Sequence, residues 1–356
     1  MRKERITFVL PSTPFRTSGG SKIVFQYANR FVQRGYDVKI LFLCDRSLSS
    51  RGLPEWLRRL ICSGIVAVYP LGTELSPWVK KRSIFHMCDD NVKDGDYIVA
   101  TSYETSNPVY HLSEKKGKKI YFIQDYENWT CSDKEVQQTY QWMKNVVISR
   151  WLEKIVDQYS GKKSICISNC IDTDKFGIDI PIKKRDALSI AALYHRADHK
   201  GFKYTWKAIQ MIKERYPNVR VRCFGLSKKP KWMPNWVNYT ENANYRQLRR
   251  IYNDTAIFIC SSIDEGYGLT GAESMACGCA LASTAYRGVF EYAVDNENAL
   301  LSPVKDVDAM VKNIDRLIHD KELRVRLAVA GRKTIEQMSW EKAVTIFEKQ
   351  VLHSEE

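Results

Sequence analysis

Short apolar runs alternate with amphipathic segments along most of the chain. Residues 5–11 (RITFVLP) form an apolar run closed by a proline, the pattern of a strand buried on both faces. Gly19 and Gly20 follow, then a helical pattern with Ile23, Val24, Tyr27, Ala28, Phe31 and Val32 on one side, ending near Gly35. A second strand is predicted over Val38–Leu43, which completes a β-α-β unit with the glycines between strand and helix. Further strand-like runs occur at 64–70 (GIVAVYP), 96–102 (DYIVATS), 119–125 (KIYFIQD) and 164–168 (SICIS).

The pattern restarts after residue 185. A strand at 187–195 (ALSIAALYH) leads to a helix at 202–217, then to strands at 219–225 (VRVRCFG) and 235–240 (NWVNYT). A helix around 244–254, a strand at 256–262 (AIFICSS), a helix after Leu269 and a strand at 279–284 (CALAST) complete the series. Two such series predict an α/β protein with two Rossmann-like, doubly wound domains. The change of pattern at 168–186 (SNCIDTDKFGIDIPIKKRD) sets the expected division: 1–167, 168–338, and a final helix at 339–356. Past Pro303 the chain is a run of amphipathic helices.

The chain has 356 residues, 44% of them hydrophobic and 27% charged, an ordinary globular composition. No stretch approaches the roughly eighteen apolar residues of a membrane span. The start, MRKERITFVLP, makes a poor signal peptide, so a cytoplasmic location is expected. The ten cysteines lack zinc or redox spacing and read as buried reduced thiols. The six histidines form no ligand spacing, so neither a metal nor a cofactor is expected.

Net charge is +14, with 26 basic against 17 acidic residues in 1–167 and 29 against 24 in the rest. That excess suits nucleic acid, an anionic membrane surface or phosphorylated ligands alike. Segments 54–66 (PEWLRRLICSGIV) and 77–85 (PWVKKRSIF) mix aromatic, apolar and basic residues. They read either as membrane-surface contacts on the inner face of the cell membrane or as ordinary surface elements.

Three places carry candidate chemistry. Gly19 and Gly20 lie where the first strand hands over to a helix, a position for a phosphate or for a simple turn. Arg196 and Lys200 occupy the matching position in the second half, able to neutralise a diphosphate or to form a solvated basic loop. Residues 264–281 (DEGYGLTGAESMACGCAL) place Glu265 before a glycine-opened helix start and Glu273 within its first turn or so. Two carboxylates so placed would reach different parts of one ligand.

The last stretch, with its neighbours, resembles the GT-B glycosyltransferases of family 4 over nearly the whole chain. Residues 265–273 (EGYGLTGAE) match that family's E-x7-E motif. Residues 195–202 (HRADHKGF), 168–176 (SNCIDTDKF) and 18–21 (SGGS) are similar to its other conserved segments. The resemblance implies two domains facing each other across a cleft, with the acceptor on the first and a nucleotide sugar on the second. It implies Glu265 on donor hydroxyls and Glu273 on the ribose. Gly268, Leu269 and Thr270 would face the sugar-phosphate through backbone amides, and Arg196 and Lys200 would hold the diphosphate, with Gly19 and Gly20 closing from the first domain. Transfer would retain configuration, with the departing phosphate helping to deprotonate the acceptor.

Departures from the family pattern are also visible. Gln124-Asp125 stands where many relatives carry a histidine. Asp125 or Glu127 is the alternative aid to the acceptor, or Asp125 simply caps a turn. Residues 123–127 (IQDYE) are similar to an element of some bacterial rhamnosyltransferases that use dTDP-rhamnose. Cys170 and Arg287-Gly288 replace a glycine and a Gly-Gly pair.

The function expected is transfer of a sugar from a nucleotide donor to a saccharide or lipid-diphosphate acceptor in bacterial cell-surface polysaccharide synthesis. Nucleic acid is not expected as a partner. The alternatives are a non-catalytic module binding nucleic acid or an anionic surface, which leaves both glutamates unexplained, and a GT-B sugar-nucleotide epimerase.

Overall fold

The computed structural model describes residues 3–11, 18–68, 75–129 and 131–354. Its contacts divide the chain into one unit of Met1–Asn169 with Glu341–Glu356 and another of Cys170–Trp340.

The first unit runs β1 (Arg5–Pro11), α1 (Gly19–Gln33), β2 (Asp37–Leu43), α2 (Glu55–Val68), β3 (Lys80–Ile84), β4 (Tyr97–Ala100), α3 (Tyr103–Tyr110), β5 (Lys118–Ile123), α4 (Asp133–Thr139), β6 (Lys144–Val147), α5 (Arg150–Ser160) and β7 (Ile165–Cys166). All its strands are parallel, in the order β3-β2-β1-β4-β5-β6-β7. The order reverses between β1 and β4. At such a switch the connections leave to opposite faces and open a crevice beyond the strands' carboxyl ends.

One sequence expectation needs correction here. The run 64–70 is not a strand: residues up to Val68 continue α2, and the last two lie outside the described residues. Cys62 and Val66, four apart, are its buried positions, and this helical spacing outweighs the β-branched character of the run. The missing strand is β3, whose charged KKRSI sequence alternates exposed and half-buried residues at the sheet edge before the buried Ile84. Exposed lysine and arginine on an edge strand discourage pairing with other chains.

The second unit runs β8 (Ser189–Leu193), α6 (Phe202–Arg215), β9 (Arg220–Gly225), β10 (Val237–Glu241), α7 (Tyr245–Asn253), β11 (Ile257–Cys260), α8 (Leu269–Ala276), β12 (Ala280–Thr284), β13 (Leu300–Ser302), α9 (Val307–His319) and α10 (Lys321–Glu336). Its parallel sheet has the order β10-β9-β8-β11-β12-β13, reversing between β8 and β11. Ile190, Ala192, Val221, Ile257, Ile259 and Ala282 from the sheet meet Ile209, Ile212, Ile314 and Leu327 from the helices in one core.

Helix α11 (Trp340–Ile346) and the π-helical turn Phe347–Leu352 end the described chain. Phe347 is fully buried, its ring centroid 5.2 Å from Tyr27, 5.5 Å from Phe31 and 6.1 Å from Phe122. Arg34 of α1 adds hydrogen bonds to Glu348 at 2.5 Å and Thr345 at 2.7 Å. These contacts place the segment from Glu341 onward in the first unit.

Seven of the ten cysteines are buried, whereas Cys88 is exposed and Cys131 and Cys166 are half-buried. Among the described residues no helix is long and apolar enough to cross a membrane.

Candidate active site

In the second unit the two strands at the sheet's reversal, β8 and β11, each release a loop from the carboxyl edge. The β8 loop carries His195 to Lys200, and the β11 loop carries Ser261 to Gly268. Gly201 locks the two together. Its φ is +62°, and a Cβ there would fall 1.9 Å from the carbonyl oxygen of Ser261. Ser261 Oγ donates to the Gly201 carbonyl at 2.8 Å, and the carbonyl of His199 accepts from Ile263 N at 2.7 Å.

This contact brings Lys200 to Glu265. Lys200 Nζ lies 2.7 Å from Glu265 Oε2, and Ser262 Oγ donates to Oε1. Glu265 is only 8% exposed. Burial works against its charge, but the field of Lys200 and the hydrogen bonds from Lys200 and Ser262 outweigh it, so the carboxyl sits below its usual range. His195 and His199 are both shifted downward, by burial first and by Lys200 next, and are neutral at pH 7. Arg196 is exposed on the same loop.

Helix α8 begins directly beyond Glu265. Gly268, its N-cap at φ +93°, offers no side chain to the helix start, and Leu269 and Thr270 are half-buried. The first-turn amides of a helix lack intrahelical partners and favour an anionic ligand. A Cβ at Gly268 would fall 1.9 Å from Tyr286 Oη. Tyr286 and Tyr292 hydroxyls are 2.7 Å apart, and Tyr292 donates to the Gly268 carbonyl at 2.9 Å. Gly288 packs so close to the Glu265 carbonyl that a Cβ would come within 2.5 Å, while Arg287 Nε donates to Asp264 at 3.0 Å.

Glu273 is the fifth residue of α8, just past its first turn. It is 6% exposed and accepts from Tyr252 Oη at 3.0 Å. Ser262, Tyr252, Tyr286 and Tyr292 were not singled out from sequence. Serine and tyrosine in apolar surroundings carry no signature of their own, although Ser262, three residues before Glu265, was within reach of a capping argument.

In the first unit Gly19 and Gly20 are the first residues of α1 rather than a loop. Ser18 is the N-cap and accepts from Ser21 N at 3.1 Å. Thr17 lies outside the described residues. Gln124, at the end of β5, lies against Gly20, where a Cβ would meet its side-chain nitrogen at 3.2 Å. Glycine thus keeps the amide of Gln124 close to the start of α1. Asp125 Oδ1 accepts from Tyr126 N at 2.9 Å. Glu127 accepts from Tyr103 N at the start of α3. Burial, then the charges of Asp125 and Glu104, push its carboxyl up to about 8 against the Tyr103 hydrogen bond. Among the described residues no group of His, Cys, Asp and Glu is arranged to hold a metal ion.

The structure resembles Anabaena HepE in complex with UDP and glucose, with a TM-score of 0.76 at 11% identity, covering 99% of this chain and 100% of that one. The fold is GT-B. Within it, residues 171–334 match the family described as glycosyl transferases group 1, a segment that contains Arg196, Lys200, Glu265 and Glu273. An uncharacterized glycosyltransferase of Methanocaldococcus jannaschii is 26% identical over 57% of this chain and 62% of its own. The capsular polysaccharide biosynthesis glycosyltransferase CapM of Staphylococcus aureus is 22% identical over 44% of each. The chain thus spans less than two thirds of the length of these two sequence relatives.

Proposed function

We propose that the protein is a retaining glycosyltransferase of family 4 that moves a sugar from a nucleoside-diphosphate donor to a saccharide or lipid-linked acceptor. The observation that carries this reading is the buried, charged Glu265, held by Lys200 and Ser262 beside the uncapped start of α8. A carboxylate kept ionised in a desolvated place can accept strong hydrogen bonds from sugar hydroxyls. Lys200 and Arg196, with the α8 amides, offset the charge that grows on a leaving diphosphate, in the manner of electrostatic transition-state stabilisation.

Glu273 binds the ribose in this reading, from the side of α8 where Tyr252 orients it. On the first unit Gly19, Gly20 and Gln124 shape the approach to the acceptor. Asp125 is the acid that assists it, by accepting a hydrogen bond from the acceptor hydroxyl, whereas Glu127, raised to about 8 by burial, is held on Tyr103 N. The departing phosphate takes the acceptor proton, so positioning supplies much of the rate. No metal is invoked.

The polysaccharide setting is supported by the capsular polysaccharide role of CapM, and a nucleoside diphosphate donor by the UDP bound to HepE. The similarity at Ile123–Glu127 makes dTDP-rhamnose the donor of choice within a panel. A place on the inner face of the cell membrane, reached through the basic segments around Trp56 and Trp78, belongs to the same proposal. These residues are 64% and 77% exposed. The experiment is thermal unfolding with UDP-, GDP- and dTDP-sugars. At a hundred times its dissociation constant a cognate donor adds about 2.7 kcal/mol and raises Tm. A panel in which no nucleotide sugar moves Tm contradicts the proposal.

A further inference from the structure

On the α6 side of the Arg196 loop lies a cavity of about 550 Å³, distinct from the Lys200–Glu265 cluster. Its wall is aromatic. Trp206 of α6 meets Trp232 from the β9–β10 connection with ring centroids 5.2 Å apart and planes at 63°. Trp236 stacks on Trp206 at 5.7 Å and 15°, and Tyr194 meets Trp232 edge-on at 6.2 Å. Trp232 is nevertheless 54% exposed and Trp236 39%. Two exposed indoles held against Trp206, of which Trp232 lines the cavity, mark a surface that gains from being covered.

The connection that presents them is fixed in place. Lys229 Nζ donates to the carbonyls of Pro234 at 2.9 Å and Val237 at 3.0 Å, Tyr239 Oη donates to Ser227 O at 2.5 Å, and Met233 is buried beneath. The rim is basic, with Arg196, Lys203 and Lys207, all exposed, against the single acid Asp198, 3.7 Å from Lys203. Gln210 adds an amide able both to donate and to accept.

We propose that this cavity is a binding subsite for a negatively charged pyranose, a sugar unit of a glycan that carries a carboxylate or a phosphate. The apolar face of a pyranose covers an indole face, the hydroxyls meet Gln210 and Asp198, and the charge meets Lys203 and Lys207. Trp206 and Trp232 line a concavity and pack on one another instead of projecting as a wedge, which suits a discrete ring better than a lipid surface. The inference rests on the reading of the protein as acting on saccharides and adds the class of saccharide.

The test follows intrinsic tryptophan emission while the full chain is titrated with tetragalacturonate, with glucose 6-phosphate and with neutral maltotetraose. At least one acidic sugar is expected to bind more tightly than maltotetraose. That affinity should fall about tenfold in Trp232→Ala, as at an interface where one aromatic anchor dominates. It should fall again in Lys203→Ala/Lys207→Ala, which leaves the indoles in place. The proposal is overturned if neither acid outbinds maltotetraose or if Trp232→Ala binds as well as the native chain. Trp232-dependent binding to phosphatidylglycerol vesicles without sugar binding overturns it in favour of a membrane surface. UDP binding, read by Tm on the same samples, separates the two readings. Its loss in Trp232→Ala assigns the cavity to the donor and ends this proposal alone, whereas its absence from the native chain counts against glycosyl transfer and leaves the sugar titration to stand by itself.

Discussion

Glu127 is half-buried and Glu265 buried, and their surroundings drive the two acids in opposite directions. For Glu127 the folded pKa of about 8 lies above the ordinary carboxyl value, so the folded state holds the proton more tightly than the unfolded chain. Stability from this group is complete below about pH 4.5 and is lost as pH rises through about 8. Glu127→Gln should therefore flatten the fall of Tm between pH 5 and 8 and leave the variant more stable at pH 8.5, by on the order of 1–2 kcal/mol. An unchanged slope sinks that assignment. For Glu265 the folded pKa is lowered, so its contribution is present at neutral pH and is lost as pH falls through the folded value. Lys200→Met removes the main cation and leaves burial to dominate, so the acid limb of donor binding should move to higher pH. An acid limb at the native pH would show that Lys200 does not set this carboxyl. Each residue of the Lys200–Glu265 pair was visible in the sequence by its loop position. Their contact was not, because it depends on Gly201 meeting Ser261, sixty residues away.

Among the elements, the start of α8 is highly sensitive to substitution. Gly268 combines a positive φ with a tyrosine hydroxyl where a side chain would begin. Gly268→Ala should cost more than about 1 kcal/mol in urea unfolding, since both strain and displacement act on it. It should also weaken donor binding by tilting the first-turn amides. A variant with native midpoint and native nucleotide affinity contradicts the role given to this turn. Glycine spacing announced the helix start, but Tyr286 and Tyr292, which close over it, gave no pattern to read. Elements were legible where burial on both faces made an apolar run, as in β1, β5, β8 and β11. They were misread where burial was partial. The helix α2 buries little beyond Cys62 and Val66, and the edge strand β3 shows the charge of a surface loop.

At the scale of the whole molecule, alternation of strands and helices was enough to fix two parallel α/β sheets, because parallel neighbours need a crossover between them. The order of strands in each sheet was beyond that reasoning, yet it decides where the site lies. β8 and β11 become neighbours at the reversal, and their loops therefore converge. The chain's end matters to the first unit, where Phe347 fills a ring of aromatics. Phe347→Ala should cost about 3–5 kcal/mol and speed hydrogen exchange in α1 and β5. Native exchange rates there would show the segment from Glu341 to be dispensable. In the proposed function Glu265 acts on the donor sugar from a charged, buried position. Steady-state transfer by Glu265→Gln, with the donor found in the nucleotide-sugar panel, tests this role. The kcat is expected to fall about a hundredfold or more, in line with the loss of one preorganised electrostatic contact, with nucleoside diphosphate affinity within a few-fold of native. Native kcat in Glu265→Gln would contradict it.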